Sequence, residues 1–203
     1  MMLSFLFSHC RHIFQGISLE YLKWIHTEFD VPSLDCLTTS QFEKMYLRPR
    51  TCRLRCSVVD ALAADAAAAH HVGPATWFIS HTWNNAFPDT LDSIFAFFEG
   101  RADAADARLW LDVFVDSQHA SEGACKTPQW YMTTFKSSIA RIGSLLLVVD
   151  AWDNPAPLKR AWYVSAYPLA RAGALAADAL TCTQVRAGAA CDCREEGGGR
   201  GAV

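Results

Sequence analysis

The sequence lacks the features that would place it in several common classes. No apolar run approaches the roughly 20 residues needed to span a bilayer. The opening MMLSFLFSHCRHIF is broken by Ser8, His9, Arg11 and His12. Its basic residues follow the apolar stretch instead of preceding it, the reverse of a secretory signal. This segment reads as a frayed or packed N-terminal helix, with membrane-surface contact as the lesser alternative. A net charge of −3 offers no basic footprint for a phosphate backbone, so nucleic acid is not an expected partner. The nucleotide and hydrolase fingerprints G-x-x-x-x-G-K-S/T, G-x-G-x-x-G and G-x-S-x-G do not occur between a strand and a helix. Eight cysteines without a leader suggest reduced thiols in a cytoplasmic protein. Large apolar residues are also scarce beyond 163, where Ala, Gly and small polar residues dominate. That stretch predicts either a disordered tail or a run past the true reading frame, and both leave the domain incomplete.

What is present falls into three zones: a helical region over 1–56, an α/β domain over 57–167 and a low-complexity tail over 168–203. In the first, SLEYLKWIHTEF places Leu19, Leu22, Trp24, Ile25 and Phe29 near helical spacing behind Ser18 as cap, with Pro32 as the stop. A second helix is expected from Thr39, ended by Pro49. Residues 57–70 read as an alanine-rich helix.

The second zone alternates strand and helix. ATWFIS (75–80) is a short apolar strand, and Leu91, Ile94, Phe95 and Phe98 define a helix closed by Gly100. RLWLDVFVD (108–116) reads as the second strand. A helix bearing Tyr131, Phe135, Ile139 and Ile142 follows, then the strand SLLLVVD (144–150) and a helix from about Leu158. Strands alternating with helices of this length predict a parallel sheet with flanking helices. No fourth strand is apparent.

Ligands of such sheets sit beyond the carboxyl ends of the strands. The first strand offers Ser80, His81, Thr82 and Trp83 there, the second Asp116, Gln118 and His119, and the third Asp150, Trp152 and Asp153. Asp112 is expected inside the second strand. His81, His119 and Asp116 are the candidates for acid–base work, although histidines in such loops commonly serve as hydrogen-bonding anchors. The hydroxyls equally suit helix capping. Asp112 is costly to bury alone, so it is expected to pair with Arg160 or a backbone amide. Trp83, Trp110 and Trp152 can stack on a planar ligand or pack in the core. No metal is expected. Cys52 and Cys56 supply half a finger-like spacing, Cys191 and Cys193 lie in the tail, and His70 and His71 would diverge by about 100° on a helix.

Taken together, TWFISHTW (76–83), LWLDVFVDSQH (109–119), SLLLVVDAW (144–152) and LKRAW (158–162) resemble the TIR-like superfamily. The likeness is greatest to algal and protist members with an F-I/V-S-H-x-W opening strand, and RPRTCRLRCSVVD ahead of it resembles the same group. The resemblance covers about 75–162 and implies a flavodoxin-like sheet. It also implies one of two activities: assembly with other proteins, including self-association, or cleavage of NAD at its nicotinamide ribosyl bond. The enzymatic members use a glutamate on the helix after the third strand. Here that helix reads RAWYVSAYPLARAG, with Tyr163, Ser165 and Ala166 departing from the pattern, and no glutamate lies between Glu122 and Glu195. The expectation is therefore a non-catalytic signalling module that needs no cofactor. The alternative is an NAD-cleaving or nucleotide-binding enzyme with NAD as ligand or substrate.

Overall fold

The structure, a computed structural model, describes residues 14–31, 34, 37–119, 136–149 and 180–184. The opening helix, Tyr131, Phe135, Asp150, Trp152, Asp153, Arg160 and the helix from Leu158 all lie outside the described residues. Among the described residues no helix is long and apolar enough to cross a membrane.

One six-stranded mixed sheet organises the chain in the order β2-β1-β4-β3-β5-β6. Its strands are β1 (Gln15–Ser18), β2 (Val72–Pro74), β3 (Trp77–Ser80), β4 (Arg108–Trp110), β5 (Leu145–Val149) and β6 (Leu180–Gln184). The last four run parallel, with Trp77 opposite Leu109, Phe78 opposite both Trp110 and Leu145, and Leu145 opposite Leu180. Every residue of β3 and β5 is buried, as expected for strands with both faces covered. The expectation of a wholly parallel sheet is corrected on one side. β1 pairs antiparallel with both β2 and β4, so the N-terminal segment is part of the sheet. The expected halt after three strands is corrected too, since β6 adds a fourth parallel strand from the Ala-rich zone.

Glycine makes room for β1. A Cβ on Gly16 would stand 2.8 Å from the carbonyl carbon and oxygen of Leu109, closer than any side chain tolerates. Ser18 closes the strand and at once caps helix α1 (Leu19–Glu28), its hydroxyl accepting the Tyr21 N–H at 3.0 Å. Leu22 and Ile25 are buried, whereas Trp24 stays 41% exposed under the Arg50 guanidinium, 5.6 Å from the ring centre. The helix stops before Pro32, and Asp30 makes the turn in left-handed backbone at φ 46°.

The second helical run differs from its expected end at Pro49. Thr38 caps α2 (Thr39–Phe42) in a reciprocal box with Gln41, then the chain widens to a π turn over Glu43–Leu47 and continues as α3 (Arg48–Thr51) through Pro49. Proline cannot donate to the carbonyl four residues back and its ring crowds that carbonyl. The wider turn, with the Arg48 N–H reaching Glu43, lets the helix pass that point. Glu43 is fully buried and receives both Arg48 Nε (2.9 Å) and Nη2 (2.7 Å). This hydrogen bonding holds the arginine's proton more tightly than usual.

The expected 57–70 helix is shorter, α4 (Val58–Ala64), boxed by Ser57 and Asp60 and followed by a 3-10 turn at Ala69–His71. Helix α5 (Phe87–Phe98) buries Leu91, Ile94 and Phe98 against β3, where Trp77 meets Phe97 and Phe98 edge-on at 5.1 and 5.6 Å. Gly100 follows at φ 71°, as its position predicts. The strand expected over 108–116 ends at Trp110, and Asp112 opens a helical turn, α6 (Asp112–Val115), rather than lying within the strand. Helix α7 (Lys136–Ile142) precedes β5.

Replacing Gly16 by alanine should force β1 off β4 and cost about 2 kcal/mol, read as a lower urea midpoint. Gly73→Ala is the contrast, because its nearest neighbour is the flexible Arg108 side chain at 3.4 Å; it should change the midpoint little. Equal effects at the two positions would contradict the close β1–β4 approach.

Candidate functional site

Parallel strands share a direction, so the ends of β3 and β4 lie on one edge. β4 and β5, the next two strands in sequence, flank β3 on opposite sides. The strand order thus reverses at β3, the place where open parallel sheets leave a crevice. Ser80 and His81 stand there, both buried.

The loop after β3 is held from the N-terminal region. Thr39 N–H donates to the Asn85 carbonyl and Ser40 N–H to the Trp83 carbonyl, both at 3.0 Å, and Phe87 N–H donates to Leu37. Trp83 is thereby placed so that its indole Nε1–H donates to Asp112 Oδ2 at 2.8 Å. The other oxygen, Oδ1, lies 3.9 Å from His81 Nε2. Gln118 returns over the turn, its amide donating to the Asp112 carbonyl (3.4 Å) and to that of Asp116 (3.1 Å). Asp112 therefore joins the two strand ends. Its expected partner, Arg160, lies outside the described residues; among the described residues the indole of Trp83 holds it.

His119 is taken elsewhere. Its Nε2 lies 2.9 Å from Thr51 Oγ1, and that hydroxyl already donates weakly to the Arg48 carbonyl at 3.4 Å. Buried His119 thereby anchors its loop to α3. Trp110 is a core residue, stacked on Phe78 at 4.6 Å. The structure thus gathers Ser80, His81, Thr82, Trp83, Asp112 and Gln118 and sends His119 to the helical region.

Several polar atoms at this edge are buried without a hydrogen-bond partner among the described residues: Ser80 Oγ, Thr82 Oγ1, Asn85 Nδ2, Asp112 Oδ1 and Ser117 Oγ. A buried donor or acceptor left unpaired costs about 1–3 kcal/mol, so these atoms keep hydrogen-bonding capacity that the described residues do not fill. Ser117 and Asn85 do not stand out from the sequence. With 108–116 read as one strand, Ser117 falls a residue past its end, and Asn85 looks like ordinary turn material.

Cys52 and Cys56 are free thiols, and burial, with Asp60 nearby, pushes the Cys56 thiol up. Under α1 lies a cavity of about 470 Å³ lined in part by Tyr21, Trp24, Arg50 and Asp65. Arg50 is already engaged there by the Phe29 ring at 4.4 Å and by Glu28 at 3.6 Å. Burial pushes the Tyr21 hydroxyl up to about 12, against the opposing pull of Arg50.

Two outcomes check these contacts. Trp83→Phe removes the donor to Asp112 and should cost about 1.5 kcal/mol in chemical denaturation; no loss would mean that the tie is absent. For Tyr21, the folded state keeps a proton that the unfolded chain releases near pH 10. Stability should therefore fall between pH 10 and about 12, and Tyr21→Phe should remove part of that decline.

No family model, no curated protein and no solved structure matches this chain, so its function has to be read from the chemistry of the strand-end edge.

Proposed function

We propose that the chain is a TIR-like module with a flavodoxin-like sheet, working in the cytoplasm by assembly with other proteins, copies of itself included, and without catalysis. The order of its parallel strands in sequence terms, second-first-third-fourth, supports the flavodoxin-like reading. The engagement of Asp112 agrees with the non-catalytic reading. One oxygen accepts the Trp83 indole at 2.8 Å and the backbone carbonyl accepts Gln118 at 3.4 Å. One carboxylate oxygen thus serves to join two strand ends, while the other lies 3.9 Å from His81, so the reading rests chiefly on the missing glutamate. The absence of any glutamate between Glu122 and Glu195 removes the group on which NAD cleavage by TIR-like enzymes depends.

A second reading, nucleotide binding with NAD as ligand or substrate, is favoured by the hydroxyls of Ser80, Thr82 and Ser117, which have no hydrogen-bond partner among the described residues. Hydroxyls and a carboxylate at a strand-order reversal suit ribose and phosphate groups.

Both readings meet in one set of measurements on the full chain. Sedimentation should show concentration-dependent self-association, and incubation with NAD should release no nicotinamide. A chain that stays monomeric at high concentration would count against assembly. Nicotinamide release that His81→Ala abolishes would replace the first reading with the second. Calorimetric binding of NAD that Ser80→Val weakens, without release, would make the edge a nucleotide sensor.

A further inference from the structure

The end of the sheet away from this edge holds a different cluster. β1 runs antiparallel to β4, and its last residue, Ser18, pairs with Arg108, the first residue of β4. The start of α1 and the turn ahead of Val72 therefore lie at the amino ends of the parallel strands. There the adjacent histidines of the 3-10 turn do not diverge as they would on an α-helix. Their ring centres are 3.9 Å apart and the planes are tilted by 40°. One ligand atom from each of Glu20, His70 and His71 lies within 4.8 Å of the other two.

We infer that Glu20, His70 and His71 form a binding site for one divalent transition-metal ion of the zinc class, which clips the start of α1 to the turn leading into β2. The donor set is the first support. Two imidazoles and a carboxylate suit zinc, cobalt or nickel and disfavour magnesium and calcium, which take oxygen ligands. Tetrahedral bonds of this kind place ligand atoms about 3.4 Å apart. The remaining gap closes by side-chain rotation, since Glu20 is 78% exposed and His70 is exposed.

His71 is the fixed member. The Ser18 hydroxyl lies 2.8 Å from its Nδ1, and Tyr21 packs against the ring at 5.4 Å. Nδ1 is also the nitrogen that faces the Glu20 carboxylate, at 3.9 Å, so a metal bound there takes the place of the Ser18 hydroxyl. Arg108 is an opposing positive charge, with its guanidinium on the His70 carbonyl at 3.3 Å; the Glu20 carboxylate works against it. Three protein ligands leave a coordination position for water.

The test uses the full chain stripped with chelator, titrated with zinc by calorimetry and with cobalt by absorption. One equivalent should bind with micromolar or tighter affinity and raise the melting temperature, and magnesium should do neither. His70→Ala and Glu20→Gln, both at exposed positions, should each weaken binding at least ~10-fold with unchanged circular dichroism. The cobalt spectrum should lack a thiolate charge-transfer band. No saturable binding would overturn the site. So would binding that survives both variants or a thiolate band, which would place the metal on cysteine.

Discussion

The parallel register of β3 and β4 decides which residues meet at the strand ends. Phe78 lies opposite Trp110, and their rings stack at 4.6 Å with planes 15° apart inside the core. Such a pair adds about 0.5–1.5 kcal/mol beyond its buried area and disfavours any slip. Carried forward in the same register, Ser80 reaches the level of Asp112. That is why the loop beginning at His81 meets the Asp112 carboxylate and why Trp83 can bond it. A slip of one residue would turn each side chain to the other face, and the contacts of Asp112 would be lost together.

The elements legible in the sequence are those whose apolar pattern is long or strong. Helix α5 shows four apolar residues on one stripe, and β5 is an unbroken aliphatic run. What stayed hidden has identifiable causes. β1 is four residues long and runs into α1 without a turn, because Ser18 serves as both last strand residue and cap. β2 is three residues ending in Gly-Pro, which reads as a breaker. β6, LTCTQ, has one large aliphatic residue and lies in a small-residue zone. Asp112 was misplaced because LWLDVFVD keeps apolar residues on both sides of it. An aspartate at the first turn of a helix is favoured by the exposed N–H groups there, and this signal is as short as the competing strand pattern.

The N-terminal segment gains a role from these placements. The first turn of α2 holds the loop after β3 through Thr39 and Ser40, and the end of α3 holds the loop after α6 through Thr51 and His119. The ion pair of buried Glu43 with Arg48 and the π turn over Glu43–Leu47 lie between those two grips. Loss of Arg48 would leave the buried Glu43 carboxylate uncompensated, so the pair stiffens the connection between the loops. His119 was legible as an anchor or an acid–base group; its bond to Thr51 shows the anchor.

The strand-end edge therefore carries two kinds of polar group. Asp112 Oδ2 and Gln118 are engaged in holding loops, and the fold explains them. The hydroxyls of Ser80, Thr82 and Ser117 have no such partner among the described residues. Burying an unpaired hydroxyl costs free energy that an alanine or valine at the same place would not. Nothing in the packing of β3 or α6 calls for them, and β3 would be more apolar without Ser80. Unfilled hydrogen-bonding capacity beside an anchored carboxylate is suited to receiving polar groups from outside the chain, whether the loop of a partner or the ribose of a nucleotide. The fold places that capacity at the reversal of strand order, and the N-terminal segment keeps the loops around it in position.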